Sequence, residues 1–270
     1  MSKLHWDDTG SRIYELGVKK CVLFKMNGES YRSGVAWSGV TNITERIEGA
    51  EENGFWADGL KYSSLVTTED FKATIEAYQC PEEFYECEGI NTIEFNKNIS
   101  SGSFGNSLYA YNQKRTRFGL AYTTIIGNDT KGTDYSEKIH LIYNATAAPS
   151  ERSYATLNQS PDAMTLSWDI TTKPMYFSSS HRPAAHFVID TTKLSPNLKL
   201  GLEKVLYGTN TTHPTLPAIN EWQKKIFKDE NGNNVQYFTV SLQDLLTYPV
   251  LMDSNGDIVV NASQEAILIY

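Results

Sequence analysis

At 270 residues, with 24 basic and 32 acidic side chains, the chain carries a formal charge of −8, a pI near 5.2 and a mean hydropathy of −0.41. That balance weighs against ordinary nucleic-acid binding, which rests on Lys and Arg against phosphate. No apolar run approaches the roughly 20 residues that cross a bilayer as a helix.

Sixteen Tyr and eleven Phe favour strands. The length suits one large β domain or two smaller ones. The first 17 residues, MSKLHWDDTGSRIYELG, have no apolar core of the kind a secretory signal needs, so none is expected. KKCVLFKM, beginning at Lys19, reads as a short strand.

Between Thr41 and Leu60 the chain sets five acids (Glu45, Glu48, Glu51, Glu52 and Asp58) against one base, Arg46. Large rings stand at both ends of this stretch: Trp37 before it, then Phe55, Trp56 and Tyr62. A solvated loop has no need of so many aromatics. EDFKATIEAY follows, with Phe71, Ala73, Ile75 and Ala77 alternating against Asp70, Lys72, Thr74 and Glu76, a half-buried strand. Glu82, Glu83, Glu86 and Glu88, after Pro81, read as a solvated acidic turn rather than a glycosidase pair.

GSFGNS, from Gly102 to Ser107, lacks the lysine and following helix of a phosphate loop and reads as a mobile loop. RFGLAYTTIIG, EKIHLIYNATA, AMTLSWDIT and AAHFVIDTT supply further strands. One helix is expected over about 195–208. Ser195 is its N-cap, Pro196 its first residue and Gly208 its C-terminal cap, with a stripe of Leu198, Leu202, Val205 and Leu206. DENGNN and DSNGD carry Asn-Gly hairpin signals, and the second lacks the spacing of a calcium loop.

No cofactor or catalytic set emerges. His5, His140, His181, His186 and His213 show no metal spacing, so no metal site is expected. Cys21, Cys80 and Cys87 lack a C-x-x-C spacing and are expected as free thiols. No G-x-S-x-G or Cys/His signature appears. A non-enzymatic role is expected.

The order YELGVKKCVLF, then WSGVTNITERIEGAEENGFWADGLKYSSLVTTEDFKATIEAYQCPEEFYECEG, then RTRFGLAYTTIIGNDTKGTDYSEKIHLIYNATAAPSERSYATLNQSPDAMTLSWDITTKP, then the helix and LYGT, resembles the major tail protein of long-tailed bacteriophages infecting Gram-positive bacteria. The resemblance covers roughly 14–217. It implies a mainly β fold, a β-sandwich or barrel-like tail tube domain over 1–217 with one flanking helix and long inter-subunit loops. Residues 218–270 would complete that domain or form a small extension.

It further implies a structural virion protein made in the host cytoplasm. Its hexameric rings would stack into a tube that conducts viral DNA without binding it specifically. Partners implied are further copies of the chain, a tape-measure protein, a tail terminator and a distal tail protein, with no membrane insertion of the subunit. On this reading Trp37, Glu45, Glu48, Glu51, Glu52, Phe55 and Trp56 lie between subunits. They would face the basic cluster Lys114, Arg115 and Arg117, while Glu76 lines the bore. A carbohydrate-binding β-sandwich, and the inner tube of a contractile tail or tail-like bacteriocin, are the alternatives.

Overall fold

A computed structural model of the chain describes residues 6, 8–49, 51–67, 69–93, 108–154, 156, 163–177 and 181–222. The chain divides into two compact units, Met1–Asn220 and Glu221–Tyr270. The second lies almost wholly outside the described residues, as do the loop 102–107 and both Asn-Gly turns.

The described strands are β1 (Ile13–Asn27), β2 (Ser30–Tyr31), β3 (Val35–Ala36), β4 (Val40–Glu48), β5 (Glu52–Ala57), β6 (Leu60–Val66), β7 (Asp70–Ala77), β8 (Asn91–Thr92), β9 (Tyr109–Ala110), β10 (Phe118–Asn128), β11 (Gly132–Pro149), β12 (Leu166–Thr172) and β13 (His186–Asp190). Two helices accompany them, α1 (Tyr85–Glu88) and α2 (Pro196–Tyr207). The large sheet is antiparallel and runs β2-β1-β10-β11-β12-β7-β4, with β3 added to β1 and β13 to β11.

The long strand β11 serves two halves of this sheet. Its residues from Gly132 to Ala145 pair with β10, and those from Ala145 to Pro149 pair with β12. The change of partner falls at Asn144, whose φ of 55° is rare for a residue with a side chain. Its side chain holds the bend: Arg117 Nη1 donates to Asn144 Oδ1 at 3.1 Å, and Asn144 Nδ2 donates to the Lys173 carbonyl at 3.1 Å. One extra residue on β11 opposite β10 makes this a bulge, which turns the strand and lets the sheet curl over its own core.

The alternation read in β7 is obeyed: Phe71, Ala73, Ile75 and Ala77 are buried and point into the core. Trp37, Phe84, Phe118 and Trp168 form its aromatic centre. Ring centroids are 4.4 Å apart for Trp37–Phe84, 5.3 Å for Phe84–Trp168 and 5.4 Å for Phe84–Phe118. Tilted and edge-on pairs like these add to the area they bury.

Trp37 is therefore placed differently from the inter-subunit position expected of it. Only 3% of it is exposed, and its Nε1 donates to the Gln79 carbonyl at 2.8 Å, so its contact area is spent within the chain. In the acidic turn Glu82, Glu83 and Glu86 are exposed as expected, and Glu88 alone departs from the solvated reading. Phe84 and Cys87 anchor the turn in the core, and they carry Glu88 inside with them. There Glu88 Oε2 accepts from Trp168 Nε1 at 2.6 Å and from Arg152 Nη2 at 2.7 Å, which pairs the buried charge, while the buried Oε1 has no hydrogen-bond partner among the described residues.

Helix α2 starts where capping chemistry placed it. The Ser195 hydroxyl accepts from the Leu198 amide, and Leu202 and Leu206 are buried. Cys21, Cys80 and Cys87 are thiols, and burial pushes Cys80 and Cys87 up to about 12.

Candidate assembly surface

Strands β5 and β6 form a two-stranded sheet of their own, an arm that leaves the main sheet after β4 and returns to it at β7. Its base is closed by Thr67 N donating to the Glu51 carbonyl at 3.2 Å and Glu51 N donating to Thr67 Oγ1 at 3.1 Å. Its tip is the two-residue turn Asp58-Gly59, with φ of 52° and 77°. Positive φ at both positions is the turn whose twist matches a hairpin, and Asp-Gly supplies it at low cost. The extra residue Tyr62 makes a bulge between the Phe55–Ser63 and Trp56–Lys61 pairs.

Every residue of β5 is exposed. Phe55 is 54%, Trp56 71%, Leu60 73%, Tyr62 80% and Leu65 59% exposed. By strand alternation Phe55 and Trp56 point to opposite faces, so the arm is apolar on both sides. An isolated hairpin is marginal in water.

The acids of this region are largely engaged within the chain. Glu48 pairs with Lys72 and Glu52 with Lys61. Glu45 accepts from the Tyr122 hydroxyl and lies 3.1 Å from His140 Nδ1. Burial raises its carboxyl pKa, but the hydrogen bonds of His140 and Tyr122 and the charge of His186 outweigh this and hold it at about 2. Glu51 is exposed at the arm's base.

The basic cluster lies elsewhere in the molecule. Lys114, Arg115 and Arg117 are exposed on the loop before β10, which hydrogen-bonds back to the acidic turn through Gln113 N to the Gly89 carbonyl and Thr116 N to the Glu86 carbonyl, both at 2.9 Å. Within one copy the cluster therefore sits beside α1; the expected meeting with the 45–52 acids is one between copies.

Glu76 sits on the outward face of β7, where Asn42 Nδ2 donates to it at 3.3 Å. The registers of β4, β7 and β12 put Glu48, Asp70, Glu76 and Asp169 on this face with Arg46 and Lys72, four acids against two bases. Beyond the face, β4 pairs only with β7 and ends the strand order, so its other edge is open among the described residues.

One grouping escaped the sequence reading altogether. Glu45 of β4, His140 of β11 and His186 of β13 bring one ligand atom each to within 4.8 Å of one another. These residues stand far apart in the chain, so no spacing rule could have found them; only the pairing of β13 onto β11 unites the histidines. Burial, opposed by the charge of Glu45, keeps His186 down at about 4.

No family model matches the chain, and no curated protein matches it. Among solved structures, the chain is similar to one in the baseplate of the anti-feeding prophage, at 7% identity and a TM-score of 0.27, covering 71% of this chain and 100% of that one. It is also similar to one in the extended sheath–tube complex of an extracellular contractile injection system, PVC, at 9% identity and a TM-score of 0.25, covering 63% of this chain and 88% of that one. At these values the overlap is too slight to establish a common fold, and the reading below rests on the chain's own residues.

Proposed function

We propose that the chain is a structural subunit of a bacteriophage tail tube, six copies forming a ring and rings stacking into a hollow conduit for viral DNA. The observation that carries this reading is the arm. A hairpin with Phe55, Trp56, Leu60, Tyr62 and Leu65 open to water is half of an interface. Its two apolar faces suit insertion between neighbours and suit a sugar platform poorly, because a platform needs its rings on one face.

The open edge of β4 offers a second joining element, since an unpaired strand edge accepts another strand. The outward face of β4, β7 and β12, net acidic, would form the wall of the bore and repel phosphate weakly at every point. Long passage of DNA needs that absence of sticking sites, because a dense basic lining would bind the backbone. Tape-measure, terminator and distal tail proteins would set the tube's length and ends.

Negative-stain microscopy of the purified chain at high concentration, alone and with initiator proteins, tests this reading. Rings and tubes are expected, and they should vanish in a Trp56→Ser/Tyr62→Ser variant that stays folded. Reversing Glu51 and Glu52 to Lys should impair tubes as well, through Lys114, Arg115 and Arg117 of the neighbouring copy. Wild-type protein that is monomeric under every condition and binds glycans would replace the tube with the carbohydrate-binding alternative.

A further inference from the structure

We propose that Glu45, His140 and His186 bind one divalent first-row transition-metal ion of the zinc class, tying the strand that leads into the arm to two strands of the body. The donor set is two imidazoles and one carboxylate, which suits zinc and its neighbours better than the oxygen-seeking calcium or magnesium.

The distances fit. His140 Nδ1 lies 3.1 Å from Glu45 Oε1 and 3.3 Å from His186 Nε2. Ligand bonds of about 2.0–2.1 Å in a tetrahedral site place neighbouring donor atoms about 3.3 Å apart. Two edges of the triangle therefore match neighbouring ligands around one ion; on the third, Glu45 Oε2 and His186 Nδ1 stand 4.0 Å apart, so a bound ion would draw these two side chains closer.

Hydrogen bonding sets the tautomer that a neutral His140 would take. The Thr124 hydroxyl has one proton, and it goes to Glu15 Oε1 at 2.5 Å. Thr124 Oγ1 must then accept from His140 Nε2, 3.1 Å away, so a neutral His140 carries its proton on Nε2. Its Nδ1 is left with a lone pair aimed at the cluster. Glu45 Oε1 meets it there, already accepting from the Tyr122 hydroxyl. A proton on Nδ1 would instead make the hydrogen bond to Glu45 Oε1 at 3.1 Å, and a bound ion would take that proton's place.

The surroundings are those of a supported site. His140 is 6% exposed, its ring stacked on Tyr122 with centroids 4.6 Å apart. Phe71 covers the His186 ring at 4.2 Å. Glu15 is taken up by Lys138 as well as Thr124, which leaves it to orient His140 at one remove. Partners that fix ligand orientation in this way accompany most metal histidines. The role assigned to the ion is mechanical. Glu45 stands three residues before the end of β4, while His140 and His186 are on adjacent body strands, so the ion braces the root of the arm.

The test uses the untagged full chain and does not depend on tube formation. Calorimetric titration with Zn²⁺, and titration with Co²⁺ followed by visible absorption, should give one ion per chain with the absorption of a tetrahedral site. His186→Ala and Glu45→Gln should lose stoichiometric binding, and Tyr122→Phe should weaken it about 10–100-fold. Imidazole nitrogen NMR of the unaltered chain should show His140 Nδ1 and His186 Nε2 shifting on addition of Zn²⁺. This last measurement decides the matter even where a variant fails to fold. Absence of stoichiometric binding, binding unchanged in the variants, or a proton on His140 Nδ1 that persists at saturating Zn²⁺ would overturn the proposal in favour of a proton-linked polar cluster.

Discussion

Trp168 and Trp56 both stand in antiparallel strands, and their surroundings are opposite. Trp168 is fully buried, packed against Phe84 and Trp37, with its Nε1 donating to Glu88. Trp56 is 71% exposed on a strand whose every residue faces water. The same residue type stabilises the fold in one place and waits on the surface in the other. Burying an aromatic side chain contributes roughly 1.5–3 kcal/mol, and in the arm that contribution is still to be realised. The rings of the body are covered within the chain; those of the arm are not.

The largest test of this contrast is in the body. Trp168→Ala should cost about 3–5 kcal/mol through lost burial and the cavity left behind. It also deprives buried Glu88 of a donor. Denaturant unfolding reads the loss, and a change below 1 kcal/mol would show that the core tolerates the gap.

Leu206→Ala should cost somewhat less, about 2–5 kcal/mol, because α2 packs through Leu202 and Leu206. An unchanged unfolding midpoint would separate the helix from the body's stability.

A smaller effect is expected from pH. Burial pushes Glu137 up, but the hydrogen bond and charge of Lys20, with Lys199 and Lys19, outweigh it and hold the carboxyl below its ordinary value. The folded pKa is the lower one, so the stabilisation is full above the ordinary carboxylate range and is lost as pH falls through the folded value. Pairs of this kind contribute about 0–1 kcal/mol. Glu137→Gln should flatten that acid limb of the stability profile, and a limb of unaltered slope would assign it to other carboxylates.

The smallest effect on the folded monomer should come from Trp56→Ala, within about 0.5 kcal/mol. A monomer destabilised by 2 kcal/mol or more would mean that the arm packs on its own body, and the contrast would collapse.

The body was legible in the sequence because its signals are local. The period-2 pattern of β7, the Ser195-Pro196 start of α2 and the stripe ending at Leu206 each sit within a dozen residues. The arm was half legible. Its acids and rings stood out, and Asp58-Gly59 between FWA and LKY was a hairpin signal that went unused. The rings were not all of one kind, however. Trp37 is separated from the arm by the whole of β4 and folds inward onto Phe84, a contact that composition could not distinguish from exposure. Glu88 was misread for a related reason: an acidic run looks solvated until Phe84 and Cys87 turn it inward. The grouping of Glu45, His140 and His186 needed the four strand pairings that join β4 to β11 and β13, so no window on the sequence contained it.

The arm's length has a consequence for how an assembly would grow. Six residues of β5 at about 3.3 Å each span roughly 20 Å, twice the spacing of about 10 Å between packed sheets. A ribbon of that reach lands on a surface different from the one it springs from. Each copy would then give one arm and receive another, so donor and acceptor sites are distinct and the contact is not self-complementary. Every joint would point the same way. A structure assembled from such joints has a front and a back, and material passing through it would meet each subunit in the same orientation.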